Sequence, residues 1–245
     1  MTKLSDIINR MHDKTKQNII PCSLFVGRTG ADMKKIKLLF QGDSITDAFR
    51  KEGDTDCHTL GENYPKYAAQ YIKEAYPDVE FEFINLGSGG SQTKNLVARL
   101  ESDFVEIKPD IVSILIGIND VWAGVADRNW IPHEVFEANY RTVLEAMKKI
   151  GAKIMLIEPF VFPHENTAVF REDLDFKIDI VRKLALEYAD AYMPMDGIFY
   201  GQFMHEDSNS FTDDCIHPNA HGSEFIGRNY AEYIKPIIDS LIARG

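Results

Sequence analysis

Residues 36–47 read Ile36-Lys37-Leu38-Leu39-Phe40-Gln41-Gly42-Asp43-Ser44-Ile45-Thr46-Asp47, an apolar run followed by a glycine and a serine. A short apolar run bounded by glycine is typical of a buried β-strand. The stretch therefore puts Ser44 where a strand gives way to a loop, and a serine there can act as a nucleophile. That role requires a base, an acid that orients the base, and oxyanion donors elsewhere in the chain.

Similar apolar runs recur along the chain and alternate with longer amphipathic stretches, which predicts a parallel sheet flanked by helices. The predicted strands cover about residues 36–41, 79–86, 110–117, 152–158 and 190–195. The predicted helices lie near 63–76, 92–106, 133–149, 167–188 and 219–242, and Pro236 should bend or break the last of them. We expect one doubly wound α/β domain whose ligands bind beyond the carboxyl ends of the strands.

The composition is that of an ordinary globular chain, with 245 residues, 44% hydrophobic and 27% charged, and a formal net charge of -11. Such a charge repels phosphate backbones and anionic lipid surfaces, so neither nucleic acid nor a membrane is an expected partner. A neutral or weakly charged small molecule fits better. The chain has three cysteines, Cys22, Cys57 and Cys215. Their odd number and the lack of a Cys-x-x-Cys spacing argue against a disulfide framework and a zinc ribbon.

Residues 1–35 do not follow the repeating pattern of strands and helices. Leu4, Ile7, Ile8 and Met11 are spaced as on a short amphipathic helix, and charged residues interrupt any hydrophobic stretch before Ile19. The lack of a secretory signal pattern favours the cytoplasm. We expect an N-terminal extension at 1–35 that packs on the outside of a domain at 36–245, or else forms a homo-oligomer contact or a lid.

Two polar loops follow later predicted strands. Asn85-Leu86-Gly87-Ser88-Gly89-Gly90 comes after one of them, and its glycines let backbone N–H groups approach a ligand closely. Gly117-Ile118-Asn119-Asp120 comes after the next, and an asparagine amide can donate to a developing oxyanion. Each loop alone has a plainer interpretation, a turn for the first and a helix cap for the second. Asp120 is expected to be structural.

A fourth stretch, Asp214-Cys215-Ile216-His217-Pro218, precedes the last predicted helix, which Pro218 is suited to start. A compact turn can bring the Asp214 carboxylate onto one ring nitrogen of His217. The other ring nitrogen is then free to take a proton. The stretch thus offers the base and the orienting acid that Ser44 would need.

In this order the four stretches resemble the consensus blocks of the SGNH hydrolase superfamily, the GDSL-type esterases, across residues 42–222. The resemblance implies a flavodoxin-like three-layer α/β/α fold with a five-stranded parallel sheet, in an SGNH hydrolase domain at 36–245. It implies that Ser44 is the nucleophile, His217 the base and Asp214 its partner. It also implies an oxyanion hole made by the Ser44 and Gly90 backbone N–H groups and the Asn119 side chain.

Two departures from the family pattern concern the loops. Ile45 stands where the family has leucine, an apolar exchange that should only repack the turn. The second block reads Ser88-Gly89-Gly90-Ser91 where the family more often has Ile-Ser-Gly-Asp or Ile-Ser-Gly-Asn. Either Gly89 or Gly90 could then be the backbone donor, and the spacing from Asn85 favours Gly90.

Longer strings resemble the intracellular acetyl-xylan esterases of this superfamily. These strings are residues 42–47, 108–110, 116–122 and 217–218. The similarity implies that the substrate is a small O-acetyl ester on a carbohydrate such as a xylo-oligosaccharide, and that no cofactor or metal is needed. A lysophospholipase, a thioesterase or a broad carboxylesterase is the alternative. A non-catalytic carbohydrate-binding or assembly module is a further one.

Three other residues are candidates for contact with substrate. Trp122 follows Asn119 closely enough to wall the acyl or sugar site, although it could equally be a core aromatic. His164 lies after a predicted strand end, and Asp43 lies beside Ser44, where bonding to the turn backbone is its plainer role. His58 with Cys57 and Glu62 matches no metal-binding spacing, so no metal site is expected.

Overall fold

A computed structural model of the protein describes residues 35–47 and 57–244. Its strands form one sheet in the order β2-β1-β3-β4-β5, and every neighbouring pair is parallel. The strands are β1 (Lys35–Gly42), β2 (Glu80–Asn85), β3 (Ile111–Leu115), β4 (Lys153–Ile157) and β5 (Ala191–Met193). The five predicted strands and the flavodoxin-like order are confirmed. The predicted extension at 1–35 lies, apart from Lys35, outside the described residues.

Helices cover both faces of this sheet. The longer ones are α1 (Tyr64–Ala75), α2 (Thr93–Ala98), α3 (His133–Lys149), α4 (Arg171–Tyr188), α5 (Met195–Gln202) and α6 (Ala220–Ile242). Shorter turns of helix are Ser44–Asp47, Ile118–Trp122, a π-helical turn at Glu101–Val105, and 3-10 turns at Ala168–Phe170 and Ser208–Ser210. The bounds agree closely with the predicted helices, except that 92–106 is divided into α2 and the π-helical turn.

The alternation of side chains along β1 assigns the helices to the two faces. Leu38 and Phe40 pack in one apolar cluster with α1 and α6, and Leu39 packs in another with α2, α3 and α4. All five residues of β3 are buried, as expected for a central parallel strand covered on both sides. The result is a three-layer sandwich that leaves the loops at the carboxyl ends of the strands free to carry a site.

Two elements differ from the sequence-based expectation. Helix α5 was not predicted, because Gly197 and Gly201 interrupt it and its apolar residues lack a clear helical spacing. Helix α6 continues through Pro236, so of the expected bend or break the break is wrong. Buried Ile234, Ile237 and Ile238 hold both sides of the proline in the core, and this packing offsets the one lost backbone hydrogen bond.

None of the helices in the described part of the chain has the length and apolar character that crossing a lipid bilayer demands.

Candidate active site

Ser44 begins the helical turn that follows β1, at the carboxyl edge of the sheet. The Asp43 carbonyl oxygen accepts hydrogen bonds from the N–H groups of Thr46 at 3.1 Å and Asp47 at 2.7 Å. The Asp43 carboxylate accepts a third, from the N–H of Ile45 at 3.0 Å. These bonds fix a tight turn, as predicted for Asp43, and present the serine hydroxyl above the sheet.

The three residues expected to form a nucleophile, base and acid are brought together in one hydrogen-bonded series. Ser44 Oγ lies 2.8 Å from His217 Nε2, and His217 Nδ1 lies 2.7 Å from Asp214 Oδ2. With the ring proton on Nδ1, the imidazole donates to the carboxylate, and Nε2 accepts from the serine hydroxyl. Such an arrangement can remove the serine proton during attack on a carbonyl carbon.

Backbone and side-chain bonds within residues 212–218 hold the Asp214–His217 pair. Asp214 Oδ1 accepts from the N–H of Ile216 at 2.9 Å and of His217 at 2.7 Å. Thr212 Oγ1 donates to the His217 carbonyl oxygen at 2.7 Å, and an antiparallel bridge joins Thr212 to Pro218. Cys215 adopts a left-handed φ of 67°, which lets this short loop turn back on itself.

The same bonds keep Asp214 ionised. Partial burial alone would raise its pKa, but hydrogen bonds from the His217 ring and from the backbone N–H groups of His217 and Ile216 lower the pKa below its usual value. The Asp214 side chain is 53% exposed, so the carboxylate keeps contact with solvent while it orients the ring.

Asn85 joins the serine turn to the glycine loop. Its side-chain Nδ2 donates to the Thr46 carbonyl oxygen at 2.7 Å, and its Oδ1 accepts from the Gly87 N–H at 3.0 Å. The Ser88 N–H donates to the Gly42 carbonyl oxygen at 3.2 Å. The sequence had supplied Asn85 only as a reference for spacing. Its burial at the end of a strand is the signal that reveals this role, because a buried amide requires partners.

Gly90 occupies the third position of a tight turn closed by a hydrogen bond from Ser91 N–H to the Ser88 carbonyl oxygen at 3.1 Å. Its φ of +72° is left-handed, and a Cβ added to it would meet no atom within 4 Å, so the residue faces open space. Over residues 35–47 and 57–244, no hydrogen bond engages the N–H of Gly90 or that of Ser44. Both groups can therefore donate to a ligand.

Asn119 lies in the short helical turn after β3 and is bonded to the glycine loop. Its Nδ2 donates to the Ser91 carbonyl oxygen at 3.1 Å, and its own carbonyl oxygen accepts from Gln92 Nε2 at 3.0 Å. An amide nitrogen carries two hydrogens, so one remains for another acceptor. Gln92 was not singled out from the sequence.

The neighbouring Asp120 is buried and accepts hydrogen bonds from the Thr93 hydroxyl at 2.6 Å and from the Thr93 N–H at 3.1 Å. Burial raises the pKa of Asp120 to about 6, although the Thr93 bonds and the Lys177 ammonium oppose the shift. Burial also raises the pKa of Asp43 to about 7, against its hydrogen bond from Ile45. The expected structural role of Asp120 fits these contacts.

The other residues considered from the sequence lie outside the hydrogen-bonded series of Ser44, His217 and Asp214. Trp122 is 49% exposed and packs edge-on against Phe170, with 5.7 Å between the ring centroids. His164 is exposed, and its Nδ1 accepts from the Asn166 N–H at 3.1 Å, a bond within its own loop. His58 Nδ1 donates to the Phe83 carbonyl oxygen at 3.2 Å. Among the described residues, no group of three or more His, Cys, Asp or Glu side chains could hold a metal ion.

Two esterases align with most of the chain. An acetylxylan esterase from Geobacillus stearothermophilus is 29% identical over 204 residues, which are 81% of this chain and 93% of that enzyme. An arylesterase from Vibrio mimicus is 25% identical over 209 residues, 85% of this chain and 93% of that enzyme.

Solved structures share the fold. A Parabacteroides merdae protein classed with the GDSL-like lipases superimposes with a TM-score of 0.76 at 27% identity, over 84% of this chain and 98% of its own. Further structures are catalytic mutants of the Geobacillus enzyme with a serine, an aspartate or a histidine replaced by alanine. The profile of the GDSL-like lipase/acylhydrolase family matches residues 40–225. With four blocks in order on this fold, the chain belongs to the GDSL-like lipase/acylhydrolase family and is a carboxylic ester hydrolase.

Proposed function

We propose that this chain is a serine esterase that hydrolyses small O-acyl esters through an acyl-enzyme on Ser44. The observation that carries the proposal is the series of two hydrogen bonds, 2.8 Å from Ser44 Oγ to His217 Nε2 and 2.7 Å from His217 Nδ1 to Asp214 Oδ2. The catalytic aspartate and histidine named for the Geobacillus enzyme are three positions apart, the same spacing as Asp214 and His217.

The reaction follows from this geometry. His217 takes the Ser44 proton while Oγ bonds to the ester carbonyl carbon, and the carbonyl π electrons move to its oxygen. The ring, now a cation, is stabilised by Asp214. When the tetrahedral intermediate collapses, the bond to the alcohol breaks and His217 returns the proton to the leaving oxygen. A water molecule then repeats the cycle on the acyl-enzyme and releases the carboxylic acid.

Three donors are assigned to the oxyanion: the N–H groups of Ser44 and Gly90, and the second hydrogen on Asn119 Nδ2. The first two have no partner within the described residues, and the third is left after the bond to Ser91. The left-handed φ of Gly90 supports it over Gly89. Each donor of this kind is worth about 2.7–4 kcal/mol in the transition state.

For the substrate we propose an O-acetyl group on a carbohydrate, such as an acetylated xylo-oligosaccharide. The resemblance to the acetylxylan esterase of Geobacillus supports this class. The half-exposed Trp122 ring supports it as well, because an aromatic face beside the Asn119 turn suits an apolar sugar face. The relation to an arylesterase favours a second candidate, a carboxylesterase with broad tolerance for the alcohol.

The mechanism is tested with Ser44→Ala and a matched serine remote from the site. Ser240, on α6, donates to the Ile237 carbonyl oxygen at 2.8 Å, and Ser240→Ala serves as the control. We expect Ser44→Ala to lower kcat for an aryl acetate by at least about 10⁴-fold and to abolish labelling by a fluorophosphonate. Wild-type activity in Ser44→Ala would sink the mechanism.

The substrate is tested separately on the wild-type enzyme. We expect acetate release from acetylated xylo-oligosaccharides and an aryl ester series in which kcat/KM peaks at acetyl. A peak at a much longer acyl chain would replace the carbohydrate esterase with a lipid or thioester hydrolase, while leaving the serine mechanism untouched. Equal kcat/KM for sugar and aryl acetates would favour the broad carboxylesterase.

We further propose that residues 36–245 form the hydrolase domain and that 1–35 are an extension to it. The family match at 40–225 supports the first boundary, since it begins within β1.

A further inference from the structure

A hydrogen-bonded series of polar side chains connects the end of β1 with the loops that carry the proposed oxyanion donors, and none of these side chains takes part in the proposed chemistry. The series begins next to the serine turn, where the Gly42 N–H donates to Oε1 of Gln41 at 3.0 Å. Gln41 Nε2 in turn donates to Asp103 Oδ2 at 3.2 Å. Gln41 is fully buried, so these bonds hold its amide in one orientation.

The series continues through Arg99 to the glycine loop. Arg99 Nε donates to Asp103 Oδ2 at 2.8 Å, and a second guanidinium nitrogen donates to Ser91 Oγ at 3.2 Å. The Ser91 carbonyl oxygen accepts from Asn119 Nδ2 at 3.1 Å. An unbroken series of hydrogen bonds therefore runs from the end of β1 to Asn119, the residue assigned as the side-chain oxyanion donor.

The element that carries Asp103 is itself unusual. Residues Glu101–Val105 form a π-helical turn, in which the Glu106 N–H donates to the Glu101 carbonyl oxygen at 2.9 Å. Such turns are rare and are found frequently at functional sites. Here Phe104 is fully buried, while the Asp103 carboxylate, 14% exposed, meets both Gln41 and Arg99.

Stability alone is a weak reason for this arrangement. The Arg99 and Asp103 side chains are only 31% and 14% exposed, so both have lost much of their hydration. The free-energy cost of that desolvation is about as large as the gain from their mutual attraction. What the pair does provide is orientation. Arg99 fixes the hydroxyl of Ser91, and the Ser91 carbonyl fixes one hydrogen of the Asn119 amide, which directs the other hydrogen.

We propose that Arg99 and Asp103 are positioning residues that hold the oxyanion site in its productive geometry, acting on Asn119 through Ser91. This inference rests on the proposed serine esterase function. Preorganised donors stabilise a transition state only when they are held where charge develops. A displacement of about 1 Å at such a site can lower turnover about a hundredfold.

The test compares Arg99→Met and Ser91→Ala with a matched ion pair elsewhere. Arg141 and Glu137, on α3, have the same i,i+4 spacing and similar exposure of 29% and 24%, so Arg141→Met is the control. For an aryl acetate we expect Arg99→Met to lower kcat roughly 10- to 100-fold with KM within about twofold. Ser91→Ala, a small change that should fold even if Arg99→Met does not, should have the same effect, and Arg141→Met should leave kcat unchanged.

A double-mutant cycle with Asn119→Ala separates positioning from a general loss of stability. If Arg99 acts through Asn119, adding Arg99→Met or Ser91→Ala to Asn119→Ala lowers kcat by no more than about twofold further. Effects that multiply in the double variants would overturn the inference, and so would single variants with wild-type kcat. An inactive wild-type enzyme would instead contradict the proposed function, so the two failures are distinct.

Discussion

Replacement of Asp214 by asparagine tests the proposed acid–base pair most directly, because the change keeps the shape of the side chain. Asp214 accepts short hydrogen bonds at Oδ1 from the Ile216 and His217 N–H groups and at Oδ2 from His217 Nδ1. A longer one, 3.5 Å, reaches Oδ1 from Thr212 Oγ1. The backbone partners can only donate, and His217 Nδ1 donates in the tautomer that lets Nε2 accept from the serine. An asparagine amide turned one way sets its NH₂ group against the two backbone N–H groups. Turned the other way, its NH₂ group donates to His217 Nδ1 and holds the ring proton on Nε2, so the variant loses either hydrogen bonds or the basic tautomer as well as a charge.

The size of the loss follows from the charge that His217 acquires in the transition state of the proposed mechanism. A carboxylate about 4 Å from the imidazolium stabilises it by about 4 kcal/mol at an effective dielectric constant of about 20. At about 1.36 kcal/mol for each factor of ten, this predicts a fall in kcat approaching a thousandfold. The 53% exposure of Asp214 justifies the surface dielectric constant and a smaller effect than the roughly 10⁴-fold known for a buried triad aspartate.

The assay is the steady-state hydrolysis of an aryl acetate, with the thermal unfolding of each variant measured in parallel. Asp213→Asn is the matched control, since Asp213 is the exposed acid adjacent to Asp214 in the chain. We expect the control to keep wild-type kcat. If Asp214→Asn retained more than about a tenth of kcat, or if Asp213→Asn lost as much, direct stabilisation of His217 by Asp214 would be refuted.

Two further predictions concern stability. Burial raises the pKa of Asp43 to about 7, above the value of about 3.9 in an unfolded chain. The folded state therefore favours the neutral carboxyl. The stability that this preference contributes is fully present below pH of about 4 and is lost as pH rises through 7. Asp43→Asn should therefore match wild type in urea unfolding at pH 4 and exceed it at pH 8, and equal differences at both pH values would contradict this. Gly87→Ala would place a Cβ 2.4 Å from the Asp47 backbone nitrogen and should destabilise the chain by about 3 kcal/mol or more. Gly90→Ala, which meets open space at a φ of +72°, should cost only about 1–2 kcal/mol, and the reverse order in denaturant melts would show that the loop packs differently.

The sheet could be predicted because its strands are short apolar runs between turn residues. Ile111–Leu115 is buried throughout, so its hydrophobic pattern alone identifies a central strand. Helix α5 could not be predicted in this way, because its packing is decided by aromatic partners far along the chain. Phe199, for example, contacts Phe162 with 4.8 Å between ring centroids. The π-helical turn at Glu101–Val105 has no pattern in sequence that separates it from an ordinary helix end.

The residues of the candidate site also divide into those that the sequence could predict and those that it could not. Ser44, Asp214 and His217 could be proposed because each stands in a motif with its own local chemistry. Asn85 and Arg99 could not, because the contacts that link them to the site form only after folding. The Asn85 amide reaches the Thr46 carbonyl across 39 positions, and Gln41 reaches Asp103 across 62. Sequence reasoning thus reaches the groups that are proposed to react, but not the groups that hold them in place.

Because His217 lies in the loop at 212–218, the proposed activity depends on whether this loop is docked against the distant Ser44 turn. Asp214 and His217 are three positions apart in a segment closed by its own bridge, whereas the bond from Ser44 to His217 joins residues 173 positions apart. The first contact needs only a local segment, and the second needs the turn after β1 and the loop before α6 to be held on the same sheet. A backbone cleavage or partial unfolding that releases α6 would therefore abolish the activity while most of the helices and strands persist.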